Sequence, residues 1–201
     1  MKIVRASEIA GSAPVSRLPD LHGILLARHG ETDDNVPPQR FQGHTDTPLN
    51  DTGRRQAHAL ADRMAREGIG SLWASDLSRA RETAEIVGAR IGLEPHLDPR
   101  LREGFRGPWE GHLMTDIARS EPERYAAWRR GGDFRFPGGE SLGEQQERVT
   151  AALMEIHARS PLPALVVCHG GSIRVMLCRR DPRGLDAFHD FEVPNVAVIS
   201  L

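Results

Sequence analysis

The chain has 201 residues, 27% charged and 39% hydrophobic, with a formal net charge of −2 at pH 7. That length suits one domain with a substantial core, and the charge balance argues against a generally basic nucleic-acid binder while leaving room for a local basic pocket. No apolar run approaches the roughly 20 residues needed to span a membrane, so no membrane partner is expected.

Residues 1–20 carry Pro14, Pro19 and scattered small polar residues. They read as an N-terminal extension ahead of a single domain over 21–201, without the continuous apolar segment of a signal peptide. Cys168 and Cys178 do not make a disulfide framework, and a reducing cytoplasm is the expected compartment.

From residue 23 the pattern turns regular. Ile24 to Ala27 is an apolar run that predicts a buried strand, followed by a polar loop through residue 49 with Pro37, Pro38, Gly43 and Pro48. Ala57, Leu60, Ala61, Met64 and Ala65 recur at helical spacing and predict a helix over 52–67. Residues 71–75 form a second strand, 78–92 a second helix and "EPHLD" a minor strand. Residues 104–140 hold six of the chain's ten aromatic residues and read as a cap of short helices and loops. A long helix follows, opened by Ser141 and Glu144 at capping-box spacing. "ALVVCH" predicts a third central strand, "GSIRVMLCR" a helix and "NVAVISL" a last strand. Alternating strands and helices predict an α/β sheet covered on both faces.

Ligands of open α/β sheets bind at the carboxyl ends of the strands. His29 and His169 both fall there, each followed by glycine, which lets a ligand approach the backbone. The helix that follows His169-Gly170-Gly171 would aim free amides at an anion. Arg28 adjoins His29, and Arg79 lies in the first turn of a helix after another strand. Arginine matches phosphate through a fork of donors, so the pattern predicts an anionic ligand, phosphate best of all. Two histidines admit nucleophilic attack on phosphorus and a phosphohistidine intermediate. A general acid must then protonate the leaving oxygen, and Glu31, Asp33, Asp34, Glu103 and Glu110 are all candidates.

In order and spacing, "RHGETDDN", "TPLNDTGRRQA", "SDLSRARETA", "LREGFRGPWEG", "PGGESLGEQQERV" and "CHGGSIR" resemble the histidine phosphatase superfamily. The resemblance covers roughly residues 23–201. It implies a phosphoglycerate-mutase-like, three-layer α/β/α sandwich with a mostly parallel sheet. It further implies His29 as the phosphorylated nucleophile, Arg28, Asn35, Arg79, His169, Gly170 and Gln42 as phosphate or substrate contacts, and Glu103 as general acid. No metal or organic cofactor is implied. Asp34, Gly104 and a loop of 35–43 one residue longer than usual depart from the pattern. "GPWEG" and the compact cap resemble the phosphatase branch, and the cap loosely resembles α-ribazole phosphatases.

The expected function is hydrolysis of small phosphomonoesters, with a small phosphorylated metabolite as partner and a homodimer compatible with it. Phosphoglycerate mutase, a non-catalytic phospholigand-binding domain, and metal-assisted hydrolysis using His29 with Asp33 and Asp34 are the alternatives. The remaining histidines (22, 44, 58, 96, 112, 157 and 189) show no paired spacing and are read as surface or packing residues. Arg129, Arg130 and Arg135 are candidates for a second anionic contact, and the cap aromatics divide between core and substrate wall.

Overall fold

A computed structural model describes residues 4–5 and 21–201. Its strands are β1 (Val4–Arg5), β2 (Ile24–Arg28), β3 (Ser71–Ala74), β4 (His96–Leu97), β5 (Ala164–Cys168) and β6 (Val198–Ser200). Its α-helices are α1 (Asp51–Met64), α2 (Ser78–Ile91), α3 (Met114–Ser120), α4 (Pro122–Arg130), α5 (Leu142–Arg159) and α6 (Gly170–Cys178). The strands join into one sheet in the order β1-β6-β2-β5-β3-β4. β2, β5, β3 and β4 are parallel, while β6 runs antiparallel to β2. Apart from β1, the predicted extension lies outside the described residues.

The pleat sends alternate residues to opposite faces. Leu25 and Ala27 of β2 join Leu165, Val167, Leu72 and Ala74 beneath Leu60, Met64, Ala84 and Val87 of α1 and α2. Ile24, Leu26, Val166 and Cys168 face the other way, toward Val149, Leu153 and Ile156 of α5 and Ile173 of α6. Both faces are therefore covered, as the apolar strand runs predicted.

Helix starts follow local chemistry. The Asn50 side chain accepts from Gly53 N at 2.8 Å to open α1, and Ser141 with Glu144 forms the predicted capping box of α5. Gly30 packs directly on this first turn of α1: a Cβ there would come within 2.4 Å of the Gly53 carbonyl oxygen. The contact holds the start of α1 against the end of β2.

Two boundaries differ from expectation. α1 stops at Met64, because residues 65–68 close in a turn completed by Gly68 at φ +61°. The last strand begins only at Val198, because Val196 adopts φ +54° and Asn195 turns its amide onto the His29 carbonyl. The cap consists of a short turn at Gly107–Trp109, α3, α4 and the loop leading to α5. Trp109 and Phe136 are fully buried in the main core and Trp128 nearly so. Trp128, together with Phe41, also lines the cavity beneath the cap. The aromatic cluster is thus core first and wall second.

Candidate active site

β2, β3 and β5 all end on one edge of the sheet, and the loops after them build the cavity. β2 and β5 are paired through Arg28 and Cys168, so His29 and His169 leave adjacent strands side by side. Their ring centroids are 5.2 Å apart. Arg28, His29, Asn35, Gln42, Glu103 and Gly170 line the cavity, together with Asp34, Arg40, Arg106 and Arg174.

His29 Nδ1 lies 2.6 Å from the Gly30 carbonyl. A carbonyl only accepts, so Nδ1 carries the proton and Nε2 keeps its lone pair. Burial, followed by the positive charges of Arg79 and Arg28 and the neighbouring His169, holds this imidazole well below its ordinary range and therefore neutral. His169 is fully buried and shifted the same way, first by desolvation and then by Arg79 and Arg28. Desolvation and the Arg174 charge bring Arg28 down to about 10, which leaves it cationic at neutral pH.

Arg79 and His169 sit directly behind the cavity wall rather than on it. Arg79 donates from Nη1 to the Thr45 carbonyl and from Nη2 to the Gly43 carbonyl, both at 2.8 Å, which fastens the loop that follows Gln42 to α2. Thr83 completes the floor: its hydroxyl donates to the Arg79 carbonyl at 2.7 Å and accepts from Gly30 N at 3.1 Å. Around this floor the donors Arg28 Nε, Arg79 Nε, Asn35 Nδ2 and Arg106 Nη1 are buried without a protein partner, and so are both ring nitrogens of His169, one of which donates in the neutral ring. Such concentration of unmatched donors is rare in folded proteins and points to an anionic ligand.

The acid candidates separate. Glu31 accepts from Asn50 Nδ2, as does Asp33, and neither lines the cavity. Asp34 lines the cavity but accepts from the Thr47 hydroxyl and approaches Arg40 at 3.8 Å. The aspartates therefore do not gather around His29, and among the described residues no group of three or more His, Cys, Asp or Glu side chains is arranged to hold a metal ion. Glu110 Oε1 accepts from His44 N and Arg106 N, both at 2.8 Å, joining two loops. Glu103 alone of the five sits within the ring of arginines, and its ion-pair partner is Arg106, at 3.2 Å, rather than Arg100 or Arg102.

Gln42 lines the cavity with its amide donating to the Thr32 hydroxyl at 2.5 Å, and Asn35 Oδ1 accepts from Thr32 N at 3.2 Å. The expectation of a second anionic contact at Arg129, Arg130 or Arg135 is corrected. None lines the cavity; Arg135 pairs with Glu144, and Arg129 reaches His189 at 3.1 Å. Arg106 and Arg174 line the cavity instead. Sequence reasoning passed over both, and only the glycine pair at 170–171 hinted that the backbone there must admit a neighbour.

The model of one protein family, the histidine phosphatase superfamily (branch 1), matches residues 24–201. The chain belongs to this superfamily. This histidine phosphatase family member is 40% identical over 168 residues to phosphoglycerate mutase-like protein 4 of Arabidopsis thaliana, covering 81% of this chain and 73% of the relative. It is 35% identical over 162 residues to the glucosyl-3-phosphoglycerate phosphatase of Mycobacterium tuberculosis, covering 76% and 72%. A solved structure of mycobacterial glucosyl-3-phosphoglycerate phosphatase in complex with VO3 superposes with a TM-score of 0.77 at 32% identity, over 87% of each chain. The relatives' names thus include a phosphatase and a mutase-like protein.

The buried histidines make a stability prediction. In the folded histidine phosphatase His29 and His169 stay neutral below pH 6.5, whereas in the unfolded chain they take up protons there. The unfolded state then binds more protons, so stability falls as pH drops through about 6.5, by about 1.4 kcal/mol per pH unit for each histidine. His44 and His189, also shifted down mainly by burial, add in the same direction. Urea unfolding midpoints measured at pH 7.5 and 5.5 should show the loss; equal midpoints would contradict buried neutral imidazoles.

Proposed function

We propose that the protein hydrolyses small phosphomonoesters through a phosphohistidine on His29. The observation that carries this reading is the neutral His29 imidazole, its Nε2 lone pair free and its Nδ1 proton held by the Gly30 carbonyl, within a ring of buried donors lacking acceptors. In the first step Nε2 attacks phosphorus and the ester oxygen leaves. In the second, water displaces the histidine. Arg28 and Arg79 supply positive charge and donors for the phosphoryl oxygens and His169 a neutral ring N–H, Asn35, Gln42 and the Gly170 amide help place the ester, and Glu103 is the acid–base group. No metal enters this scheme. The buried, unpaired Cys168 and Cys178 are in keeping with a reducing cytoplasm.

Phosphate release from a panel of sugar phosphates, phosphoglycerates, nucleotides, α-ribazole phosphate and aryl phosphates, in the presence of EDTA, tests the proposal. Turnover that survives the chelator, with acid-labile phosphate trapped on the protein after rapid quenching, is the expected result. Loss of turnover in EDTA would overturn it, and isomerised phosphoglycerate with little free phosphate would favour the mutase reading instead.

A further inference from the structure

Gln145 stands one turn into α5, on the face that also buries Leu142 and Val149, and is itself fully buried. Its Nε2 donates to Glu103 Oε1 at 2.8 Å and to Ser172 Oγ at 3.1 Å, while the Ser172 hydroxyl donates to the Arg102 carbonyl at 3.0 Å. Both N–H groups of the amide are therefore used, and they join α5, the first turn of α6 and the segment that carries Glu103. The amide carbonyl is not matched: Gln145 Oε1 is buried without a hydrogen-bond partner. An unmatched buried carbonyl costs stability, and an apolar side chain on this face would avoid that cost. Packing alone gives no reason for a glutamine here. Nor can the amide stand the other way round, because its oxygen would then face Glu103 Oε1 and the Ser172 oxygen, both of them acceptors. Gly104 makes the room: a Cβ there would fall 2.4 Å from Gln145 Oε1 and 2.6 Å from Arg106 Nη1.

We infer that Gln145 is a positioning residue for the acid–base step: by holding Glu103 Oε1 from behind the cavity wall, it makes Oε2 the oxygen that gives and takes the proton. This rests on the phosphohistidine reading above, with Glu103 as its acid–base group. In the first step His29 Nε2 forms a bond to phosphorus while the P–O bond breaks. The P–O electron pair stays on the leaving oxygen, which takes the proton from Oε2. A water oxygen then attacks phosphorus, Oε2 takes a proton from that water, and the P–N pair returns to Nε2. Oε1 exchanges no proton in either step, so its donors stay in place throughout.

The two carboxyl oxygens are unequally engaged. Oε1 accepts from Gln145, from Gly104 N at 2.9 Å and from Arg106 Nη2 at 3.2 Å, three donors for two lone pairs. Oε2 accepts from Gly171 N at 2.8 Å and keeps its second lone pair for a proton. Glu103 and Gly171 line the cavity whereas Gln145 does not, so the amide acts on the ester only through Glu103. Burial by itself would raise this carboxyl; Arg106, the Gly171 and Gly104 amides and Gln145 outweigh it and hold it down at about 2. Phosphoryl oxygens placed beside Oε2 act the other way, since like charge raises a carboxyl. An amide suits this task better than a further arginine would. It fixes the geometry of Oε1 without adding a full positive charge that would oppose the acid form.

The test is Gln145→Met, which keeps the length of the side chain and removes the donor. kcat/KM, which reads the steps up to phosphohistidine formation, is measured with p-nitrophenyl, phenyl and glycerol phosphate, with His29→Ala as the control. p-Nitrophenolate departs without a proton, whereas phenol and glycerol leave well only when protonated. Gln145→Met should lower kcat/KM about tenfold for phenyl and glycerol phosphate but no more than about twofold for p-nitrophenyl phosphate, because only the proton donor is misplaced. The inhibition constant of inorganic phosphate should not change, since Gln145 does not line the cavity. The melting temperature should hold or rise, because the unmatched carbonyl is gone. Equal losses with all three esters, no loss with any, or a loss that tracks a fall in melting temperature would overturn the inference. Should Gln145→Met not fold, Gly104→Ala decides by the same ratio, since its Cβ displaces the same amide. Absence of His29-dependent phosphate release from all three esters would instead count against the phosphohistidine reading.

Discussion

His29→Ala is expected to lower phosphate release by about 10⁴-fold or more, the scale seen when a covalent nucleophile is removed. The substitution takes away the Nε2 lone pair and leaves the backbone intact: His29 N still donates to the Cys168 carbonyl at 3.0 Å, and its carbonyl still accepts from Asn195. The fold should therefore survive, and thermal melting alongside the assay would establish that. Because burial and the nearby arginines keep this imidazole neutral, the wild type should also show no inflection in kcat/KM near pH 6.5 attributable to His29. Activity would persist into more acidic solution than a solvent-exposed histidine nucleophile allows. A His29→Ala protein that still releases phosphate at the wild-type rate would sink the proposed mechanism.

Arg79→Ala should have the next largest effect, a loss of about 10²- to 10³-fold, comparable to removing one preorganised charge-stabilising donor. Its guanidinium does two things at once. It supplies buried positive charge beneath His29, and it holds the Gly43 and Thr45 carbonyls that shape the loop carrying Gln42. Arg79→Lys would keep the charge but not the fork that reaches both carbonyls. Activity should fall in both variants, with KM rising as the loop loosens and kcat falling as charge stabilisation is lost. Steady-state kinetics of the two variants beside the wild type would check this. A rise in KM alone in Arg79→Ala would reduce Arg79 to a loop anchor.

His29 and His169 were legible because apolar strands ending in His-Gly obey a topological rule: parallel strands of an α/β sheet present their carboxyl ends on one edge. Arg28 and Arg79 came with them, being local to those strand ends. The Ser141–Glu144 capping box was legible for a similar reason, since its hydrogen bonds span only three residues. The choice of Glu103 among five carboxylates needed more than residue type or spacing, because each lies within a few residues of a plausible site. In the structure long-range contacts separate them: Asn50 takes Glu31 and Asp33, Thr47 takes Asp34, and the Gly171 amide, from the far side of the chain, meets Glu103.

Composition, strand runs and helix periodicity by themselves determined an α/β domain with two histidines and two arginines on one edge, because those signals are set by neighbours in sequence. Sheet order, the antiparallel β6 and the cavity wall were decided only by tertiary packing. Arg106 and Arg174 show why. One lies in a loop whose course depends on Phe136 and Glu110, and the other is a helical residue whose Nε donates to the Phe191 carbonyl at 2.9 Å. Arg129, Arg130 and Arg135, equally basic on paper, face elsewhere because His189 and Glu144 engage Arg129 and Arg135 outside the cavity. A charge's effect depends on its distance and burial, and both belong to the folded chain rather than to the residue.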